Sequence, residues 1–201
     1  TAADNTLTFQ AVVKTVAQRN GLYADFSPKP LRHQPGNGFH INISVKGGNC
    51  EDPLSHMIAG ILEHIPELTV FLNPTVASYE RFGGPKAPEY ISWSNQNRSQ
   101  LIRVPAAVDE YRRAELRSPD PTTNPYLAFA LLIYAGLDGI QQKLPLPAPT
   151  DLNLFTASAD ILAHLQRLPL TLREAATLAA NSSFVSKYLP KTIVQTYYDQ
   201  R

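Results

Sequence analysis

The stretch Phe39-His40-Ile41-Asn42-Ile43-Ser44-Val45 alternates apolar and polar residues without a break. Strand side chains point to opposite faces in turn, so Phe39, Ile41, Ile43 and Val45 would line one face and His40, Asn42 and Ser44 the other. One face can pack on helices while the other presents an imidazole, an amide and a hydroxyl in a row. Residues 114–118 repeat the device, with Ala114 and Leu116 on one side and Glu115, Arg117 and Ser118 mixed on the other. If both strands lie in one sheet, His40 and Glu115 converge. A neutral imidazole and a carboxylate suit a divalent cation. Two ligands are too few for a site, so further carboxylates must come from elsewhere. The plainer reading is that His40 is a satisfied or exposed histidine, and that Glu115 joins Arg112, Arg113 and Arg117 in a surface ion-pair cluster that stabilises little.

Outward from that strand, the pattern alternates sheet and helix. Asn5 or Thr6 can cap a helix carrying Phe9, Val12, Val13, Val16 and Ala17 at i, i+3, i+4, i+7, i+8, with Gly21 as its stop. Strands are expected at 22–26, 90–93 and 101–104, and a Pro-rich loop at 28–38. Residues 54–72 read as helix with a break at Pro66, and 73–88 as loop. Pro125 opens a helix over 126–137 that is apolar nearly all round, hence buried. Pro145, Pro147 and Pro149 mark a linker crossing the surface, and the tail from about Ala157 reads as short helices, 172–180 among them. There is no internal repeat. Sheet first and helices later predict an α+β fold.

The 201 residues make one domain or a large piece of one, and 43% apolar with 17% charged residues is an ordinary globular balance. A net charge of +1 leaves no footprint for nucleic acid or an anionic membrane. No apolar run approaches the ~20 residues of a membrane span. The start, Thr1 to Leu7, lacks the basic and apolar regions of a signal peptide. The single cysteine, Cys50, cannot form an internal disulfide, which fits a cytoplasmic location.

Four arginines form a second constellation. Arg81, Arg98, Arg103 and Arg117 each sit in or beside a strand or loop rich in apolar residues or proline. A guanidinium is always charged and grips carboxylate or phosphate in a fork. Burying it without an anionic partner is expensive. The four therefore suggest a polyanion, such as nucleotide phosphates plus a carboxylate substrate. Pairing with Asp120, Glu80, Glu89 and Asp109 explains them equally well.

Longer motifs carry a resemblance. Phe26-Ser-Pro-Lys-Pro30 followed by Gly36-Asn-Gly-Phe-His40-Ile-Asn-Ile-Ser44 resembles the strand–loop of glutamine synthetases. Asn73-Pro-Thr-Val-Ala-Ser-Tyr-Glu-Arg81 is similar to that family's substrate-arginine motif. Trp93-Ser-Asn-Gln-Asn-Arg98-Ser-Gln-Leu-Ile-Arg103-Val-Pro105 resembles its W-S-x-x-N-R-S-x-x-I-R-x-P segment. Arg113-Ala-Glu115-Leu-Arg117-Ser-Pro-Asp-Pro121, then Asn124-Pro-Tyr-Leu-Ala-Phe129 and Ala135-Gly-Leu-Asp-Gly139, match the most specific stretch. The motifs stand in family order from about Asn5 to the end.

The resemblance implies a catalytic domain of the glutamine synthetase/guanido kinase-like class, an antiparallel sheet packed by helices with a helical C-terminal tail. Residues 1–201 would be its C-terminal portion, the N-terminal β-grasp domain and first catalytic strands lying outside. It implies an ATP-dependent ligase: ATP phosphorylates the glutamate side chain, and ammonia displaces phosphate from the acyl phosphate. His40 and Glu115 would hold a divalent metal, Mg or Mn. Gly36, Arg81 and Arg117 would bind glutamate, Arg98 and Arg103 would contact phosphates, with Arg98 near both substrates, and Asn42, Ile43 and Ser44 would line the nucleotide. The full-length protein would form a homo-oligomeric ring. The remaining metal carboxylates lie upstream in the family, and an aspartate comes from the neighbouring subunit, so the isolated chain is expected to be inactive.

Departures are specific. The family's flap ends Glu-Ala-Pro; here it reads Gly84-Pro-Lys86-Ala-Pro88, a residue shorter and with a cation that would repel ammonium. A glutamate-contacting Asn is Pro35, a nucleotide-contacting Lys is Glu110, and the tyrosine that some bacterial enzymes adenylylate falls near Phe155. Three readings stay open: glutamine synthetase proper, a related ligase using another amine, and a non-catalytic nucleotide-binding paralogue. A phosphagen kinase is disfavoured by the motif set.

Overall fold

The computed structural model describes residues 1–46, 50–84, 86–107 and 111–199. Four short strands build the sheet: β1 (Ile41–Ile43), β2 (Trp93–Asn95), β3 (Ile102–Val104) and β4 (Ala114–Leu116), in the order β1-β4-β3-β2. The β1–β4 and β4–β3 pairs are antiparallel, as expected. The β3–β2 pair is parallel, a difference that arises because the loop between them turns the chain back to the start of β3. Register decides what meets what. Ile41, Leu116, Ile102 and Trp93 form one cross-strand row, and Asn42, Glu115, Arg103 and Ser94 the next. Neighbouring rows face opposite sides, so Ile41, Leu116 and Ile102 are buried on the helical side while the polar row looks the other way.

The helices are α1 (Ala2–Arg19), α2 (Pro53–Leu72), α3 (Val76–Tyr79), α4 (Pro125–Gln142), α5 (Ala159–Leu162), α6 (Leu172–Asn181), α7 (Ser183–Tyr188) and α8 (Lys191–Asp199). α2 is the hub. Asp52 caps it and Pro53 opens it, where a missing N–H costs nothing. It then runs through Pro66 instead of breaking there. Proline removes one backbone donor, and the fully buried Ile65 and Leu68 pack on both sides of it, so tertiary packing holds the helix together. α4 crosses α2 with backbone against backbone: a Cβ on Gly60 would sit 2.2 Å from the Ala135 carbonyl, and one on Gly139 2.2 Å from that of His56. The small residues of Ala135-Gly-Leu-Asp-Gly139 serve this crossing.

Other expectations need correction. α4 is not buried all round, since Tyr126, Ile133, Tyr134 and Leu137 are exposed. Residues 22–26 form no strand. Tyr23 is 87% exposed, and the segment finds no ladder partner among the described residues. The 73–88 loop contains α3, closed by a Thr75/Ser78 capping box. α1 begins at Ala2, ahead of Asn5, and ends where Gly21 takes φ 68°. Its row Phe9, Val12 and Val16 is 62, 53 and 52% exposed. The proline segment crosses the surface as a strap over β2: the Thr150 amide donates to the Trp93 carbonyl (2.8 Å) and the Trp93 indole to that of Pro147 (2.7 Å).

Candidate active site

Glu115, at the middle of β4, is the centre of the polar face. Its Oε1 accepts from Arg117 Nη1 at 2.7 Å and lies 3.1 Å from His40 Nδ1. Its Oε2 lies 2.9 Å from Arg103 Nε, a charge contact without hydrogen-bond alignment. The register explains the convergence. Asn42 and Arg103 flank Glu115 on neighbouring strands, His40 stands two residues before Asn42, and Arg117 two beyond Glu115. The surface-cluster reading of Glu115 fails, because its side chain is only 11% exposed and its partners are His40, Arg103 and Arg117. Arg113 turns instead to Asn42, donating from Nε to Oδ1 at 3.1 Å.

One carboxylate against two guanidinium groups leaves the cluster cationic. Burial, then Arg117 and Arg81, lower the His40 pKa, and Glu115 opposes them without prevailing, so the imidazole is held neutral. Burial likewise lowers Arg117, against the pull of Glu115.

Arg81 occupies an adjoining buried niche, 3% exposed. Nη1 donates to the Ser118 carbonyl (3.0 Å) and to Asn73 Oδ1 (3.4 Å), and Nη2 to the Pro119 carbonyl (3.4 Å). Asp120 Oδ2 is 3.7 Å from Nη1. Of the anionic partners considered for the arginines, Asp120 thus meets Arg81, whereas Glu89 meets Arg167 at 3.6 Å and Asp109 lies outside the described residues. Gly36 packs on the Arg81 stem: a Cβ there would stand 2.7 Å from Arg81 Cγ and 2.4 Å from the Pro28 carbonyl. Gly38 joins the two clusters, since its Cβ would be 3.0 Å from His40 Nε2 and 3.6 Å from Arg81 Nη2.

Arg98 is exposed, and its carbonyl accepts from Arg117 Nε at 3.2 Å. Asn42, Ile43 and Ser44 line an open groove of about 440 Å³ along the free edge of β1. A larger cavity of about 770 Å³ lies between α1 and the 121–126 turn, and none of these arginines, His40 or Glu115 lines it. In the flap, Lys86 is exposed at φ 82° while Ala87 and Pro88 are buried; Pro85 and Glu110 lie outside the described residues. Sequence reasoning did not single out Gly38, Asn73 or Asp120 as site residues. Gly38 and Asn73 are signalled only by their place inside the quoted motifs, and Asp120 also as a candidate ion-pair partner of the arginines.

His40 and Glu115 are of the right donor chemistry for a divalent metal, stand side by side, and the imidazole is in its ligating form. Among the described residues no group of three or more His, Cys, Asp or Glu is placed to hold one. The pair fits a divalent metal by its chemistry but does not by itself make a complete site.

The whole chain, residues 1–201, matches the family described as glutamine synthetase, catalytic domain. The chain belongs to that family. It is 44% identical over 210 residues to glutamine synthetase of Methanosarcina mazei, covering 97% of this chain and 47% of that protein. It is 41% identical over 214 residues to glutamine synthetase of Methanocaldococcus jannaschii, covering 98% and 47%. Among solved structures, a GmaS–ADP complex superposes with TM-score 0.85 at 30% identity, over 98% of this chain and 49% of that one. The chain spans about half the length of the curated relatives it matches. No helix among the described residues is long and apolar enough to cross a membrane.

Proposed function

We propose that this chain supplies part of the active site of an ATP-dependent ligase that activates glutamate as its γ-glutamyl phosphate and transfers the acyl group to an amine. The observation that carries the reading is the Glu115 carboxylate, shared by His40, Arg103 and Arg117 on the polar face of the sheet. In the first step a glutamate carboxylate oxygen attacks the γ-phosphorus and ADP leaves. In the second the amine lone pair attacks the acyl carbon, phosphate leaves and the nitrogen loses a proton. Negative charge moves in both, so fixed cations are the main instrument.

Arg98 and Arg103 would contact the phosphates. Arg117, held by Glu115 and the Arg98 carbonyl, and Arg81, whose Nη2 edge lies against Gly38, would hold glutamate, with Gly36 letting the Arg81 stem come close. Asn42, Ile43 and Ser44 would border the nucleotide. A divalent metal, Mg or Mn, would be held by His40 and Glu115 with donors from outside this stretch, and would neutralise charge on the phosphates. Residues 1–201 would be the C-terminal portion of the catalytic domain in a cytoplasmic homo-oligomeric ring. Ammonia is the first choice of amine. Exposed Lys86 in the flap supports a second reading in which another amine is used, because a cation there disfavours ammonium.

The test is a coupled ATPase assay on the complete polypeptide carrying this chain, with glutamate and either ammonia or small primary amines. Glutamate- and amine-dependent ADP release is expected, and the preferred amine decides between the two readings. Nucleotide binding without turnover for any amine refutes both. The isolated 201-residue chain is expected to release no phosphate from ATP, and metal-dependent release by it would show that the site is complete without further donors.

A further inference from the structure

We infer that Asp120 is a positioning residue: a fixed buried carboxylate that sets the orientation of the Arg81 guanidinium toward the glutamate site. The inference rests on the proposed function for the role of Arg81, and on the following geometry for the role of Asp120.

Arg81 is 3% exposed and its three hydrogen-bond acceptors, the carbonyls of Ser118 and Pro119 and the Asn73 amide oxygen, are all neutral. Neutral acceptors alone do not compensate a buried cation. Asp120, 0% exposed, brings the one negative charge in contact with it among the described residues. That carboxylate is oriented independently of Arg81. Its Oδ1 accepts from the backbone amide of Thr122 (2.9 Å) and from the Thr122 hydroxyl, and the Asp120 amide donates to the Leu72 carbonyl at the end of α2 (3.2 Å). The remaining oxygen, Oδ2, faces Arg81 Nη1 across 3.7 Å and has no hydrogen-bond partner, nor does Arg81 Nε.

A carboxylate satisfied only by Arg81 would move with it. This one is anchored by its own turn and acts on Arg81 through charge. Nη2, on the other arm of the guanidinium, lies against Gly38 and so close to His40. Removing the Asp120 charge removes the counterion on the inner side of the niche, and the cation then gains by shifting outward toward anion or solvent.

The experiment uses the complete polypeptide and the variant Asp120→Asn, which keeps shape and an acceptor for Thr122. The expected result is a KM for glutamate raised about tenfold or more, with the KM for ATP changed by less than about twofold and a folded protein by thermal melting. In an Arg81→Lys background the same substitution is expected to add nothing to the glutamate KM, because its effect passes through the guanidinium. An unchanged glutamate KM, an equal rise in both KM values, or simple additivity in the double variant overturns the inference. If Asp120→Asn does not fold, Asp120→Glu poses the same question with the charge displaced by one methylene: a selective rise in glutamate KM is expected, and no selective change overturns it. A wild-type polypeptide that consumes no ATP with glutamate sinks the proposed function and this inference together; an active wild type with an unselective variant sinks only the inference.

Discussion

Glu115 shows how much one side chain organises here. Two oxygens hold two guanidinium groups and an imidazole, and the side chain is mostly buried. Glu115→Gln leaves Arg103 and Arg117 facing each other without a counter-charge. Breaking a buried pair costs roughly 3–5 kcal/mol, and the partial exposure of Arg103 reduces this to about 2–3 kcal/mol, measurable by urea unfolding. The glycines at the site are equally constrained. Gly36→Ala places a methyl 2.4 Å from the Pro28 carbonyl, a backbone atom that cannot swing aside. The expected loss is about 1–3 kcal/mol by the same measurement. Gly38→Ala meets the movable His40 ring at 3.0 Å, so its effect should fall on metal affinity more than on stability, read by titration of the complete polypeptide with Mn. Period-two alternation groups His40 with Asn42 and Glu115 with Arg117, and leaves it to the β1–β4 register to bring the two pairs onto one face. It says nothing of Asp120 or Gly38, whose roles depend on what Arg81 touches across more than thirty residues of chain.

Among the elements, the α2–α4 crossing is the tightest joint. Gly60→Ala and Gly139→Ala each gain about 1 kcal/mol of helix propensity in isolation. In the fold, each Cβ would enter the facing backbone at 2.2 Å, and the helices must separate. Net destabilisation of about 2 kcal/mol or more is expected from chemical denaturation, the opposite sign to propensity. The same two helices share an ionic brace. His64 on α2 lies 2.7 Å from Glu67 and 2.9 Å from Asp138 on α4, and stacks on Phe184 of α7 at 3.8 Å. Burial alone would lower the His64 pKa, but the hydrogen bonds and charges of Glu67 and Asp138 outweigh it and raise it above the ordinary 6.5. The Asp138 carboxyl, resisted by burial but favoured by His64 and Gln142 and more weakly by Lys187, sits below its ordinary 3.8. A raised histidine stabilises fully below 6.5 and loses that contribution as pH climbs through its folded value. The lowered carboxyl contributes above 3.8 and loses it as pH falls through its folded value. The brace is therefore strongest between those ordinary values. The difference in Tm between wild type and His64→Gln should shrink as pH is raised from 6.5 toward 9, and a difference that holds constant would refute the brace.

At the scale of the molecule, the apolar rows exceed what this chain alone covers. Phe9, Val12 and Val16, aligned along one face of α1, are more than half exposed. Contiguous exposed apolar surface promotes association. The 201-residue chain should self-associate with rising concentration in light scattering. Phe9→Lys with Val12→Glu should suppress this without lowering Tm, since neither side chain is buried; a clear drop in Tm would show that the row supports the fold.

The sequence alone determined which residues alternate, which carry charge, and which small residues stand in order along the motifs. Those are local properties, set by the pleat of a strand, the pitch of a helix and the chemistry of each side chain. Only the tertiary structure decided that Pro66 stays inside a helix, that residues 22–26 join no sheet among the described residues, and that β2 and β3 run parallel. It also decided that Arg81 is enclosed by carbonyls with Asp120 behind it. Such outcomes turn on contacts between segments far apart in the chain, where packing and desolvation outweigh local preference.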